Sequence, residues 1–269
     1  MKKQFVFLLS IVLTLTLLLG YINKSVSQPS SVHLTLGNPS NASSTSSSNY
    51  LLQKSQYVLS YNKGKGIPNW VSWQLNKSWL GSASRQNDFR PDDTLPSSWY
   101  HVKPSDYTST GYDRGHMTPS ADRTKKITDN SATFLMTNIL PQAPDNNQGP
   151  WNELENYCRE LVTQQGKELY IISGGYGTKG AIANGKVSVP KNLWKVIVVL
   201  DKPGQGVKGV TTNTWVIAVI MPNSNGIRNV NWKNYRTTVR QIEMATNYNF
   251  MSQVPISVQN VIETRVDNK

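Results

Sequence analysis

The chain has 269 residues, a length that suits one domain of ordinary size or two small ones. It carries 28 lysines and arginines against 16 acidic residues, a net charge of +12, with three histidines and one cysteine. A single cysteine excludes a disulfide framework, a paired-cysteine redox centre and every zinc site built from several cysteines. The excess of positive charge suits an anionic partner such as a nucleic acid, an anionic membrane or an acidic polysaccharide, and equally a role in solubility alone.

The first 27 residues have the organisation of a secretory signal peptide. Lys2 and Lys3 precede a mostly apolar run over residues 5–21, and Ser25-Val26-Ser27 supplies small residues for cleavage. An uncleaved membrane anchor is the alternative, because about 17 apolar residues reach the lower limit for spanning a bilayer. Either reading exports the rest of the chain, so we expect a secreted or periplasmic protein with no stable membrane span after cleavage.

Residues 28–49 are dominated by Ser, Asn and Thr, and this composition predicts a flexible linker that buries no core. His33 lies in this segment and is expected to have no functional role. A globular domain is predicted over residues 50–269.

Most of the elements predicted in this domain are strands. Runs of β-branched and aromatic residues predict strands at 57–61, 69–75, 168–173, 187–190, 194–200 and 214–221. Helices are predicted near 151–164, 235–245 and 257–266. The first has one apolar face, formed by Trp151, Leu154, Cys158, Leu161 and Val162. Pro150 suits its first turn and Gly166 its end. Successive strands with little β–α–β alternation predict an α+β fold.

The glycines at 204, 206 and 209 match the GxGxxG pattern of dinucleotide-binding loops. Such a site needs a helix that begins at these glycines, but a strand is predicted next. We therefore predict a hairpin loop here, and the preceding Pro203 favours a turn.

The candidate catalytic groups come from one stretch of the chain. His116 lies in the run Tyr-Asp-Arg-Gly-His-Met-Thr-Pro, two residues after Arg114. The polar run Asp-Asn-Asn-Gln-Gly-Pro-Trp then leads into the first predicted helix, where Glu155 and Arg159 stand one turn apart on one face. Taken alone, such a pair is usually a solvated surface pair.

Together these residue types meet the requirements of phosphodiester hydrolysis. A histidine, with an ordinary pKa of ~6.5, can take the proton of an attacking water. Arginines can stabilise charge on the phosphate oxygens, because the planar guanidinium matches phosphate geometry. Mg²⁺ can polarise the leaving oxygen while it keeps several waters, so one or two protein oxygens suffice to hold it.

The motif DRGH, followed by TNxxPQxxxxNxxxWxxLExxxR, resembles the sugar-non-specific DNA/RNA endonucleases of the ββα-metal type. The resemblance runs from about Tyr57 to the C-terminus and includes FRPDDTLP at 89–96 and GYDRGHMTPSADRTK at 111–125. It implies an α+β fold with a central antiparallel β-sheet, flanking helices and a ββα-metal finger packed on the sheet.

The resemblance also implies a role for each candidate residue. His116 would be the general base that activates the attacking water, and Asp113 would support the finger that positions it. Asn147 would be the direct protein ligand of a hydrated Mg²⁺, for which Mn²⁺ is expected to substitute. Glu155 would hold the ion through its waters. Contacts to the phosphate or the leaving group would fall to Arg85, Arg114 and Arg159.

Two of these positions have a neighbouring alternative. Asn146 directly precedes Asn147, and the family's spacing to the helix residues favours Asn147. Arg90 lies closer than Arg85 to the histidine, and the family's spacing favours Arg85.

The sequence therefore predicts an exported, metal-dependent endonuclease that cuts DNA and RNA with little sequence preference and, as in that family, leaves 5′-phosphates. Arginine and metal contacts to phosphate carry no base information. DNA and RNA are the expected partners, a proteinaceous inhibitor is a candidate partner, and the oligomeric state is left open. The alternatives are a phosphodiesterase of the same fold acting on another diester and a polyanion-binding module without catalysis.

Overall fold

The structure is a computed structural model that describes residues 31–269. The predicted signal peptide lies outside the described residues. Within the described range, no helix is both long and apolar enough to cross a membrane. Strands and helices are mixed as an α+β fold, as the sequence predicts.

A six-stranded sheet forms the centre of the domain, and every neighbouring pair in it is antiparallel. In spatial order its strands are β1 (Tyr50–Gln53), β2 (Val58–Asn62), β3 (Ile67–Leu75), β6 (Glu168–Tyr176), β9 (Asn192–Leu200) and β10 (Trp215–Pro222). The predicted central antiparallel sheet is therefore confirmed. The GxGxxG loop joins the antiparallel strands β9 and β10, so the prediction of a hairpin loop is also confirmed.

Two short ladders and five helices complete the regular structure of the described residues. The ladders pair β4 (Asp113–His116) with β5 (Ile139–Gln142), and β7 (Ala181–Ile182) with β8 (Val187–Ser188). The helices are α1 (Ile127–Ala132), the single turn α2 (Pro144–Asn146), α3 (Asn152–Gln165), α4 (Val239–Thr246) and α5 (Ile256–Ile262). Single 3₁₀ turns lie at Val32–Leu34, Lys77–Trp79, Pro104–Tyr107, Ser120–Asp122, Met136–Asn138, Ala183–Gly185, Gly206–Gly209 and Trp232–Tyr235.

Helix α3 follows its local sequence signals closely. Its buried face consists of Leu154, Cys158, Leu161 and Val162, as predicted, and it ends at Gly166 in the left-handed conformation, with φ of 69°. Burial of each large aliphatic side chain contributes about 1.5–3 kcal/mol relative to exposure. The face packs into the core that covers one side of the sheet.

Helix α4 begins later than the predicted start at residue 235. Thr238 caps it, because its side chain accepts a hydrogen bond from the Gln241 N–H, and the preceding residues Trp232–Tyr235 form a separate 3₁₀ turn. The cap and its reciprocal partner satisfy the free N–H groups at the helix start.

The sheet separates two hydrophobic cores. Along β9, Leu193, Ile197 and Val199 face the core that contains α3. Trp194 and Val198 face the second core. Because side chains alternate along a strand, Lys195 points to the same side as α3. This side also carries the finger that is formed by β4 and β5.

Residues 31–49 pack against the second core, so the prediction of a flexible linker is wrong for this segment. His33 is 2% exposed, and Leu36 and Ala42 are buried. The Gln74 N–H donates to Nδ1 of His33, so Nε2 carries the proton and donates to the Ser55 carbonyl. A few buried apolar side chains suffice to hold the segment, because its polar side chains also form hydrogen bonds with the backbone and with the sheet.

Candidate active site

Strands β4 and β5 bring the DRGH motif against the helix that follows. In the ladder, Asp113 lies opposite Gln142 and His116 lies opposite Ile139. Gly115 is required in the ladder because a Cβ there would collide with the Gln142 side chain. The chain then passes through α2 and a wide π-type turn, Asn147–Trp151, into α3. Such turns are frequent at functional sites.

One cleft of about 360 Å³ brings most of the predicted site residues together. Its walls include Arg85, Arg114, His116, Asn147, Glu155 and Arg159. Asp113 lines an adjoining cleft of about 350 Å³ that shares Arg85, Arg114 and Asn147 with the first. Arg85 and Arg159, which are 74 positions apart in the chain, therefore line the same cleft.

The ring of His116 is held between two phenylalanines. Its centroid lies 5.3 Å from that of Phe89 and 4.9 Å from that of Phe134. Within the described part of the chain, its buried Nε2 has no hydrogen-bond partner. Burial first, and then the guanidinium groups of Arg85 and Arg114, lowers the pKa of His116 to about 3. The imidazole is therefore neutral at pH 7 and able to accept a proton.

The amide of Asn147 is oriented by a carboxylate. Asp113 Oδ2 accepts a hydrogen bond of 2.8 Å from Asn147 Nδ2 and another from the Gln148 side chain. An ionised carboxylate only accepts hydrogen bonds, so the NH₂ of Asn147 must face Asp113 and its Oδ1 must face away. The side chain of Asp113, on the finger strand β4, thus orients Asn147.

The neighbouring alternatives have structural partners outside the cleft. Asn146 is fully buried, where its Oδ1 accepts from Gln142 and its Nδ2 donates to the Pro222 carbonyl. Arg90 donates to Asp88 and to the Ser131 carbonyl. Neither side chain lines the cleft.

The arginines of the cleft differ in how firmly they are held. Arg159 Nη1 donates to the buried Asp122 over 2.8 Å, and Asp122 also accepts from the Trp73 indole. Arg85 donates to Ser120 Oγ over 2.7 Å. The guanidinium of Arg114 lies 4.2 Å from the Phe89 ring centroid. Arg85 and Arg114 are exposed, so both can meet an anionic ligand that enters from solvent.

The comparison with known proteins decides the family. The sequence model of the DNA/RNA non-specific endonucleases matches residues 36–257. The chain belongs to this family. It is a nuclease, and the cleft around the DRGH strand is its candidate active site.

Relatives of this nuclease span most of its length. A protein named "Nuclease" from Nostoc sp. (strain PCC 7120 / SAG 25.82 / UTEX 2576) is 57% identical over 240 residues, 88% of this chain and 87% of the relative. Human mitochondrial endonuclease G is 29% identical over 220 residues, 76% of this chain and 70% of the relative. A chain in a crystal structure of the EndoG/EndoGI complex has a TM-score of 0.71 at 23% identity, covering 86% of this chain and 95% of that one. This last likeness shows the shared fold.

The oxygen donors in the cleft of the nuclease fit a hydrated Mg²⁺ ion. Asn147 offers the amide oxygen that faces away from Asp113, and Glu155 offers a carboxylate that is 12% exposed. In residues 31–269, no three His, Cys, Asp or Glu side chains gather as a metal cluster. Mg²⁺ is usually held by one or two protein oxygens and keeps several waters. Two oxygen donors at an open cleft are therefore sufficient for this ion.

Sequence reasoning missed two charged residues behind the cleft, Asp122 and Lys195. Asp122 holds Arg159, and Lys195 Nζ lies 3.7 Å from Oε1 of Glu155. Burial raises the pKa of Glu155, while Lys195 and Arg159 oppose that rise. The sequence pattern could have indicated Lys195, because this lysine interrupts an otherwise apolar strand. Asp122 had no such signal, since its partners are distant in sequence.

Proposed function

We propose that this nuclease is an exported, Mg²⁺-dependent endonuclease that hydrolyses phosphodiester bonds in both DNA and RNA and leaves 5′-phosphates. The observation that carries the proposal is the single cleft in which a neutral histidine, three arginines and two oxygen donors for a cation line the same space. A binding module would need the arginines alone.

His116 is the general base of the proposed reaction. Its neutral ring takes a proton from the water that attacks the phosphorus. The packing of Phe89 and Phe134 against the ring limits its rotation, so the base is oriented before substrate arrives. The guanidinium groups of Arg85 and Arg114 favour the neutral ring between turnovers.

The arginines bind the phosphate. Arg85 and Arg114 reach it from the exposed side of the cleft, and Arg159 is held from below by Asp122. Guanidinium groups stabilise charge that builds on the phosphate oxygens in the transition state. These contacts read neither the base nor the 2′-hydroxyl, which is why we propose activity on DNA and RNA with little sequence preference.

Asn147 and Glu155 would hold the cation in this proposal, Asn147 directly and Glu155 through water. When bound, Mg²⁺ supplies Lewis-acid stabilisation of the leaving 3′-oxygen, and Mn²⁺ substitutes for it. The water oxygen bonds to phosphorus as the bond from phosphorus to the 3′-oxygen breaks. The phosphate therefore remains on the 5′-carbon, and the leaving 3′-oxygen takes a proton from solvent water and becomes a 3′-hydroxyl.

Two further parts of the proposal concern the cell. The basic, apolar and small-residue pattern of residues 1–27 supports export to the periplasm or the medium. A similar fold is found in the EndoG/EndoGI complex, a structure that describes how EndoG is inhibited. We therefore propose that a protein inhibitor binds this nuclease as well. An acidic surface would suit its cluster of arginines.

The test is cleavage of supercoiled plasmid and ribosomal RNA by the purified protein with Mg²⁺, with Mn²⁺ and with EDTA. We expect both substrates to be degraded only with metal, and the fragments to be ligatable without prior phosphorylation. Cleavage in EDTA contradicts the metal dependence. DNA retardation without any cleavage would replace the proposal by the polyanion-binding module.

A further inference from the structure

Lys195 is a buried cation directly behind the candidate active site. It lies on β9 among apolar neighbours, and its side chain is 1% exposed. Its Nζ lies 3.7 Å from Oε1 of Glu155 and 4.0 Å from the centroid of the Trp151 ring. The charge is thus enclosed between the sheet and the start of α3.

Stability alone does not explain a lysine at this position. Removing an ammonium group from water costs several kcal/mol, and replacing a buried ion pair by apolar residues of similar volume is often neutral or stabilising. The neighbouring side chains of β9 on this face, Leu193 and Ile197, are apolar and fully buried. A methionine or leucine would continue that pattern, so the lysine must serve the group that it contacts.

The contacts of Lys195 reach both parts of the proposed cation site. Glu155 is the carboxylate that lies within ion-pair distance of Lys195 in the described chain. Trp151, the aromatic platform of the same ammonium group, closes the turn that begins at Asn147. One side chain, on a strand that is paired on both sides, therefore places a charge at Oε1 and packs under the turn. A strand is a more rigid support than a loop.

We propose that Lys195 is a positioning residue that fixes the carboxylate of Glu155 for its contact with the hydrated cation. The inference rests on the proposed function, because it assumes that Glu155 faces a bound metal ion. Lys195 attracts Oε1 from behind, so that Oε2 is left for the cation's waters. Partners of this kind typically change metal affinity or activity 10- to 100-fold when they are removed.

The test measures Mn²⁺ binding to the full protein without nucleic acid, by the electron paramagnetic resonance signal of free Mn²⁺. We expect Lys195→Met, which keeps the length and removes the charge, to weaken Mn²⁺ affinity about 10-fold or more. The rate at saturating nucleic acid should fall, while KM for nucleic acid stays near the wild-type value. An unchanged Mn²⁺ affinity in a folded Lys195→Met protein overturns the inference.

A double variant separates positioning from folding. If Lys195 acts through Glu155, adding Lys195→Met to Glu155→Gln should weaken Mn²⁺ affinity by no more than about twofold beyond Glu155→Gln alone. The double variant removes both partners of the ion pair and leaves no unpaired charge between them, so a protein without Lys195 can still be measured when Lys195→Met alone does not fold. Fully additive losses overturn the inference.

The matched control breaks a buried ion pair elsewhere in the domain. Lys54 Nζ lies 2.9 Å from Asp92 Oδ1, with side-chain exposures of 13% and 1%. Lys54→Met should lower the melting temperature and leave Mn²⁺ affinity unchanged, and an equal loss of affinity in this control contradicts the positioning role of Lys195. Wild-type protein that binds no Mn²⁺ and cuts nucleic acid in EDTA overturns the proposed function itself.

Discussion

The two faces of the central sheet are packed in different ways. On the face of α3, buried charges such as Lys195 and Asp122 support side chains of the cleft. On the opposite face, Trp70, Trp194 and Phe250 belong to an apolar core that residues 31–49 help to cover. Neighbouring residues of one strand thus serve a polar site and an apolar core, because successive side chains point to opposite faces.

This difference implies that mutations on the two faces have separable effects. On the α3 face, a buried charge that loses its partner alters a functional side chain, and activity should change first. On the opposite face, the buried side chains pack in an apolar core away from the cleft, and the free energy of unfolding should change first. Single substitutions on each face test this separation.

The largest expected effect is on the base. His116→Ala removes the proton acceptor, and we expect the rate to fall by about 10²–10⁴-fold. The melting temperature and the binding of nucleic acid should stay near the wild-type values, because the arginines remain. Plasmid cleavage, thermal unfolding and gel retardation measure the three quantities, and normal cleavage removes His116 from the mechanism.

The opposite face should respond in the reverse manner. Phe250 is buried and packs 5.2 Å from the Trp194 ring centroid. Phe250→Ala is expected to lower the free energy of unfolding by about 3–5 kcal/mol and to leave the specific activity of folded protein unchanged. Urea unfolding and initial rates at low temperature test this. A large loss of rate in fully folded protein would show that the two faces are coupled.

A pH effect is expected on the same apolar face. Burial first, and then Arg123, lowers the pKa of His33 to about 4. Between pH ~6.5 and ~4 the unfolded chain therefore binds a proton that the folded protein does not bind. The stabilisation that depends on neutral His33 is complete above pH 6.5 and is lost as the pH falls, by on the order of 3 kcal/mol.

The matched variant is His33→Gln, which does not titrate. Urea unfolding from pH 4 to pH 7 should show a smaller dependence on pH in this variant than in the wild type. Equal dependence in the two proteins would mean that His33 is not the responsible group. Cleavage by folded protein at pH 7 should be the same in both.

The smallest expected effect is on the cation site. Asn147→Ala removes the amide oxygen, and we expect a loss of about 10- to 100-fold at low Mg²⁺. Part of this loss should be recovered by excess Mg²⁺ or Mn²⁺, since water can replace one ligand of the ion. Rates over a titration of each metal measure the effect. A loss that no metal concentration reduces would assign Asn147 to substrate binding instead.

Local patterns predicted several elements because their causes are local. Helix α3 has an apolar stripe at helical spacing and a glycine at its end, and both act within a few residues. The strands β3, β6, β9 and β10 are rich in β-branched and aromatic residues, which favour extended backbone. The candidate site residues were named because their order and spacing are carried by one continuous stretch of chain.

Features that depend on distant partners could not be predicted in this way. Residues 31–49 have the composition of a linker, but His33, Leu36 and Ala42 anchor the segment to the sheet. Asp113 faces Asn147 because the turn before α3 returns to strand β4. The sequence by itself determined the fold class, the family and the list of candidate residues. The tertiary structure alone decided which charges meet, because hydrogen bonds and ion pairs join residues that the chain separates.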